Sequence, residues 1–126
     1  MKEYNIKMFA DDTLIYVKGG GSKEVERKLN EILPVIENWM NKNKLKMNAA
    51  KTKYMIIKSI RKQLKKNITL KCLDDTVLEQ VENIKYLGVI IDNKLRFEEH
   101  YNYMLKKIGK KISFLKRIGR DIIELY

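Results

Sequence analysis

Asp11 and Asp12 are adjacent carboxylates in the tetrad Phe9-Ala10-Asp11-Asp12, set between two runs that favour strands. Upstream, Tyr4-Asn5-Ile6-Lys7-Met8-Phe9 places Tyr4, Ile6 and Met8 on one side. Downstream, Thr13-Leu14-Ile15-Tyr16-Val17 is β-branched and aromatic, and it runs out at Gly19-Gly20-Gly21. The connection is short enough for a hairpin. Neighbouring carboxylates repel and suit strands poorly, but a divalent cation between them and a phosphate makes the pair favourable. That is the layout of a two-metal phosphoryl-transfer site. The tetrad taken alone equally allows an Asx-type turn, since Asp is a good turn residue.

Further blocks follow in order. Trp39 precedes Asn43-Lys44-Leu45-Lys46-Met47-Asn48, then come Lys51-Thr52-Lys53-Tyr54-Met55, Ile84-Lys85-Tyr86-Leu87-Gly88-Val89 and Asp92-Asn93-Lys94-Leu95-Arg96-Phe97, with His100 close behind. In this order and spacing, the set resembles the reverse transcriptases of non-LTR (LINE-type) retrotransposons, from about Met8 to about Ile118. The resemblance implies an α+β fold: a partial polymerase palm of antiparallel hairpins with an amphipathic helix packed on them, over residues 1–97, then a thumb-like helix beginning at 98–126. It also implies RNA-directed DNA synthesis, Mg²⁺ as cofactor, and an RNA template with a DNA primer as partners.

Residue by residue, Asp11 and Asp12 match the family's paired catalytic aspartates; side chains on successive residues of a β-type tip diverge, so Asp11 is expected as the principal metal ligand and Asp12 as the secondary one, with Phe9 packing beneath the tip. Lys51 matches the lysine after the family's Leu-x-x-Asn block, where a mobile point charge suits a triphosphate or departing pyrophosphate. It reads equally well as one more lysine of a basic segment, and Asn48 as the residue ordering the turn beside it. Tyr86-Leu87-Gly88 resembles the primer grip; its glycine suggests a bulge or a close backbone approach to a ligand. His100, a lone imidazole, suits packing or a phosphate contact. The family's remaining catalytic aspartate and its template-binding block have no counterpart in these residues, so the chain alone is expected to be inactive in polymerisation.

Charge supports a polyanionic partner. The formal net charge is +11, and residues 42–71 hold eleven Lys or Arg and no acid, among them Lys62, Lys65 and Lys66. Nucleic acid fits this field first and an anionic membrane second. A solvated, lysine-biased surface is the plain alternative, and a non-catalytic basic RNA- or DNA-binding module is the alternative function. No apolar run is long enough to span a bilayer and the N-terminus has no signal-like core, so an intracellular protein is expected. The lone Cys72 excludes an internal disulfide and reads as a small buried hydrophobe in a strand.

The elements that must position these residues follow from periodicity. Ser22 suits a helix cap, with Glu24 and Glu26 in the first turn. Val25, Leu29, Ile32, Leu33, Ile36, Trp39 and Met40 form one apolar face, which places Trp39 in the core. Pro34 predicts a kink or break near Asn30 to Leu33. Strands are expected at 44–47, 54–58 and 85–91, with a hairpin pairing 68–73 and 76–79 around Asp74-Asp75. A last helix, about 98–118, has Met104, Ile108, Ile112 and Leu115 on one side and Lys106, Lys110 and Arg117 on the other; a solvent-facing basic stripe is the plain reading, and in a polymerase thumb, as the resemblance implies, it would track nucleic-acid phosphates. Gly19-Gly20-Gly21-Ser22-Lys23 has the wrong order for a P-loop. An exposed palm surface is expected to promote self-association.

Overall fold

The computed structural model describes residues 4–59, 61–62 and 67–125. The chain forms two compact units, residues 1–54 with 60–81, and residues 55–59 with 82–126. In the first unit, β1 (Tyr4–Phe9) and β2 (Asp12–Val17) pair antiparallel, Phe9 opposite Asp12. Ala10 and Asp11 are therefore the two loop residues, and Ala10 takes the positive φ of 52° that so tight a turn demands. Ile15 and Val17, half-buried, mark the face turned toward the helix that follows. Phe9 does not pack beneath the tip. It shares the opposite face with Leu14 and Tyr16 and is 61% exposed.

The helix α1 (Ser22–Lys42) starts one residue earlier than the Ser22 cap would have it. Gly21 is the cap residue, and Ser22 is the first helical position and is buried. The Glu24 carboxylate accepts the Gly20 N–H (2.7 Å) and pairs with the Lys28 ammonium (2.8 Å), so the bend is closed from within the helix. The Lys28 bond first, and then the Gly20 bond, hold this carboxyl below the usual range. A Cβ on Gly19 would lie 2.7 Å from Val25 Cγ2, whereas one on Gly20 would meet nothing nearer than 3.5 Å. Gly19→Ala should cost about 1–3 kcal/mol by overpacking, and Gly20→Ala less than about 0.5 kcal/mol, as read by urea unfolding of the whole chain.

No break occurs at Pro34, which lies inside an uninterrupted helix. Proline removes the single bond to the Asn30 carbonyl, while side chains on both sides of it are docked on the segment 67–78. Ile32 and Leu33 belong to the same small core as Ile68, Leu70, Cys72 and Leu78. Polar side chains complete the dock. The Asn30 amide donates to the Thr69 carbonyl and accepts the Lys71 N–H, Glu26 accepts the Thr69 N–H, and the buried Glu37 carboxylate accepts the Leu73 N–H at 3.1 Å with either oxygen. Burial is thus skewed to the side of Leu33 and Glu37. Trp39, some 100° round the helix from Met40, is left 51% exposed rather than in the core.

These side-chain bonds also explain why 68–73 and 76–79 form less sheet than their composition predicts. Their ladder is a bridge between Lys71 and Val77, beside bonds from Leu78 N to Leu70 O and from Cys72 N to Thr76 O. Asp74 accepts the Thr76 N–H, which makes the second Asp pair a turn. Its carboxyl is lowered by the Thr76 bonds. Cys72 is buried and free but stands outside any named strand; burial foremost, then Glu37 and Asp74, pushes its thiol up. No strand forms at 44–47, because Lys44 and Leu45 close the helix instead. Lys44 (φ 58°) donates to Asn41 O and Leu45 to Met40 O, a Schellman pattern. The 54–58 strand shrinks to β3 (Lys53–Tyr54), which pairs with β4 (Glu79–Gln80) in parallel, so the sheets are not all antiparallel.

In the second unit, 85–91 is two strands and not one. β5 (Asn83–Tyr86) and β6 (Val89–Asp92) pair antiparallel around Leu87-Gly88. Both turn residues have positive φ, 48° and 82°, the signature of a type I′ turn. Gly88 therefore makes a turn, not a bulge. Helix α2 (Glu98–Leu125) runs a further two turns beyond the expected end near 118. No helix among the described residues is long and apolar enough to cross a membrane.

Candidate metal and nucleic-acid site

Hairpin geometry separates the two aspartates. Asp11 occupies the turn itself, and Asp12 opens β2 opposite Phe9. Both are exposed. The turn residue is free of cross-strand neighbours, so it is the better placed of the two to reach a ligand in front of the tip. Two carboxylates at an open tip fit part of the oxygen shell of Mg²⁺, which readily keeps several waters. Among the described residues, no group of three or more His, Cys, Asp or Glu side chains could hold a metal ion.

Lys51 lies in the same unit, in the turn that Asn48 orders. Asn48 accepts the Lys51 N–H with its side-chain and backbone oxygens, at 3.3 and 3.1 Å, and its carbonyl also takes the Thr52 hydroxyl. The Lys51 side chain is exposed and forms no ion pair among the described residues. Lys62 donates to the Gly20 carbonyl at 2.6 Å, bracing the glycine bend, while Lys65 and Lys66 lie outside the described residues. Lys53, also from the basic segment, is paired with Glu79.

Tyr86, Leu87 and Gly88 sit at the β5–β6 tip in the second unit, with Leu87 half exposed. That hairpin is tied to α2 and to the connection that precedes it. His100 Nδ1 accepts the Ile90 N–H at 3.3 Å, which gives the imidazole a packing role. Asp92 accepts three backbone N–H groups, from Lys94 (2.9 Å), Arg96 (3.1 Å) and Phe97 (2.6 Å), wrapping the connection round its carboxylate. Leu95 and Phe97 hold positive φ of 54° and 60° within that wrap. The sequence offered Asp92 as the end of a strand and the start of a motif block, without a role; Asp followed by a short polar link before a helix is the signal that could have found its bonds.

Those bonds, Arg96 foremost, lower the Asp92 carboxyl. A carboxylate lowered by folding stabilises the fold above its ordinary range, and that contribution is lost as pH falls through the lowered value. Amide protection at Arg96 and Phe97 should therefore collapse on acid titration below the ordinary Asp range. In Asp92→Ala it should be absent at neutral pH as well, as hydrogen exchange would show. Equal protection in the variant would refute the role.

On α2, the 3.6-residue period sets Lys106, Lys110 and Arg117 opposite Met104, Ile108, Ile112 and Leu115. The apolar set is itself 37–64% exposed.

Residues 1–91 match the family described as reverse transcriptase (RNA-dependent DNA polymerase). The chain is 32% identical over 117 residues to the Retrovirus-related Pol polyprotein from type-1 retrotransposable element R1 2 of Nasonia vitripennis, covering 89% of this chain and 28% of that protein. It is 26% identical over 117 residues to the R1 3 polyprotein of the same wasp, covering 91% of this chain and 30% of that one. The chain thus spans about three-tenths of the length of these curated relatives. No solved structure gives a significant match. With most of its length inside the family match and its relatives drawn from R1 elements, the chain belongs to the reverse transcriptase family, among the polymerases of non-LTR retrotransposons.

Proposed function

We propose that these residues are the rear of a reverse transcriptase palm (1–97) and the start of its thumb (98–126), serving RNA-directed DNA synthesis in a longer parent polymerase. The observation that carries this reading is the Asp11-Asp12 pair at the tip of a two-residue hairpin turn within the family match. Bound there, Mg²⁺ would activate the primer hydroxyl and neutralise the triphosphate. Asp11 and Asp12 would hold it, Asp11 as principal ligand. Lys51 would offer a mobile positive charge to the nucleotide's phosphates, from a turn that Asn48 fixes. The Tyr86-Leu87-Gly88 tip would position the primer end, and Lys106, Lys110 and Arg117 would meet nucleic-acid phosphates.

With two carboxylates and no third ligand beside them among the described residues, the 126-residue chain alone should not extend a primer. A primed RNA template incubated with the purified chain, Mg²⁺ and deoxynucleotides tests this, and detectable extension would overturn it. A second reading rests on charge, since eleven cations between residues 42 and 71 stand without an acid. Under it, the chain is an intracellular basic module that binds RNA or DNA without chemistry. Charge reversal at Lys62, Lys65 and Lys66 should then weaken oligonucleotide binding while Asp11→Asn leaves it intact. Exposed apolar side chains on the first hairpin and on α2 favour self-association at high concentration.

A further inference from the structure

The second unit holds a donor cluster that neither the paired aspartates nor the basic segment includes. Lys85 on β5 and Lys107 on α2 lie on one phenol ring, Lys85 Nζ at 4.8 Å and Lys107 Nζ at 5.9 Å from the Tyr103 centroid. Lys85 also donates to the Tyr103 hydroxyl oxygen at 3.4 Å. The phenol is therefore an acceptor toward Lys85 and keeps its own proton for another partner. His100, a helical turn earlier, stands with its ring 6.4 Å from that of Tyr103 and is tied to Ile90, the residue paired with Lys85. Hairpin and helix are thereby held in register where the cluster forms.

Two ammonium groups drawn together repel each other, and neither has an acidic partner among the described residues. The ring offsets part of this repulsion through its quadrupole. What remains is a convergent set of hydrogen-bond donors with excess positive charge, and a phosphate oxygen is the acceptor that suits it. The two lysines also lower the Tyr103 phenol, the Lys85 bond foremost, which makes its O–H a stronger donor. Along α2, the same side continues through Lys110, the exposed Phe114 and Arg117, at alternating intervals of three and four residues.

We infer that Lys85, Tyr103 and Lys107 form a clamp for one backbone phosphate of a nucleic-acid strand, from which the strand follows the Lys110–Phe114–Arg117 side of α2. The inference rests on the nucleic-acid-binding reading above and adds the residues that grip the backbone. It also brings in Lys107, a residue one position from Lys106 and about 100° round the helix from it.

The test is the salt dependence of binding of a fluorescent single-stranded oligonucleotide by the full chain. Releasing one phosphate should reduce the log–log slope by about 0.7 for a single strand. Because both lysines hold the same phosphate, Lys85→Gln with Lys107→Gln should flatten it by about that much and weaken binding roughly tenfold at moderate salt. Tyr103→Phe keeps the ring and should cost only a few-fold. Lys107→Arg alone should keep the wild-type slope and most of the affinity, since Arg supplies the same charge and donors, whereas Lys107→Gln alone should not. If the wild-type chain binds and the double variant binds with the same slope, the clamp is overturned while nucleic-acid binding stands. If the wild-type chain does not bind, both readings fall. Binding to phosphatidylserine vesicles that depends on the two lysines, with oligonucleotide binding unaffected, would also overturn the clamp and assign the cluster to a lipid surface.

Discussion

Asp11→Asn should reduce nucleotide addition by at least two to three orders of magnitude, on the scale of removing one preorganised electrostatic interaction with the transition state, once the chain is joined to the upstream region of an R1-type polymerase. The substitution is nearly isosteric, so the hairpin turn and the Phe9–Asp12 pairing that closes it should persist. What goes is one negative charge at the turn position, the one with greatest reach. Asp12→Asn should cost less, about ten- to a hundredfold, because Asp12 is the first residue of β2 and its backbone is fixed by the ladder. Primer extension under single-turnover conditions separates the two, with primer–template affinity measured alongside and expected to be unchanged. Asp11→Asn activity within tenfold of wild type, or a larger loss at Asp12, would contradict the assignment. The order of the two losses tests the geometry, and their size tests the chemistry.

The first hairpin was legible because strand alternation, a turn-forming dipeptide and a terminating glycine run agree over residues 4–21. The amphipathic period of α1 was equally plain. What the sequence hid is how the helix is satisfied by its neighbour. Glu26, Asn30 and Glu37 lie at intervals of four and seven on one flank of α1, and they read as solvated polar residues. In the fold they bond the backbone of residues 69–73, which then needs no partner strand on that side. That substitution of side chains for a ladder is why composition overstated the strand there, and why Trp39 lost its place in the core. The helix closure at Lys44 and the turn at Leu87 failed for a different reason. Each puts a non-glycine residue at positive φ, a choice that local propensity ranks low and that the local backbone bonds of the helix end and of the hairpin hold. Among the candidate site residues, those in motifs could be placed by resemblance, Asp92 among them, though not the three backbone bonds it makes. Tyr103 and Lys107 could not, since their placement comes from interactions that join a hairpin to a helix.

Leu70→Ala should destabilise the protein by about 2–5 kcal/mol, the range for a buried leucine that leaves a cavity. Leu70 is 2% exposed and belongs to a core of only six buried apolar side chains among the described residues. A core so small has little room to redistribute the loss, and a typical domain has only about 5–15 kcal/mol in total. The expected result is a fall in thermal midpoint of about 10 °C or more, or no cooperative transition at all. Leu73, three residues away, supplies the control: its side chain is 49% exposed, and its Ala variant should stay within about 1 kcal/mol of wild type. Glu37→Ala should fall between them, at about 1.5–3 kcal/mol, because it strips a charged acceptor from the Leu73 N–H without opening a large cavity. Urea unfolding of the three variants in the full chain fixes the ranking. If Leu73→Ala costs as much as Leu70→Ala, the segment 67–78 is not docked on α1 with Leu70 facing inward. If Glu37→Ala is neutral, the backbone of 69–73 is satisfied by something other than the flank of the helix.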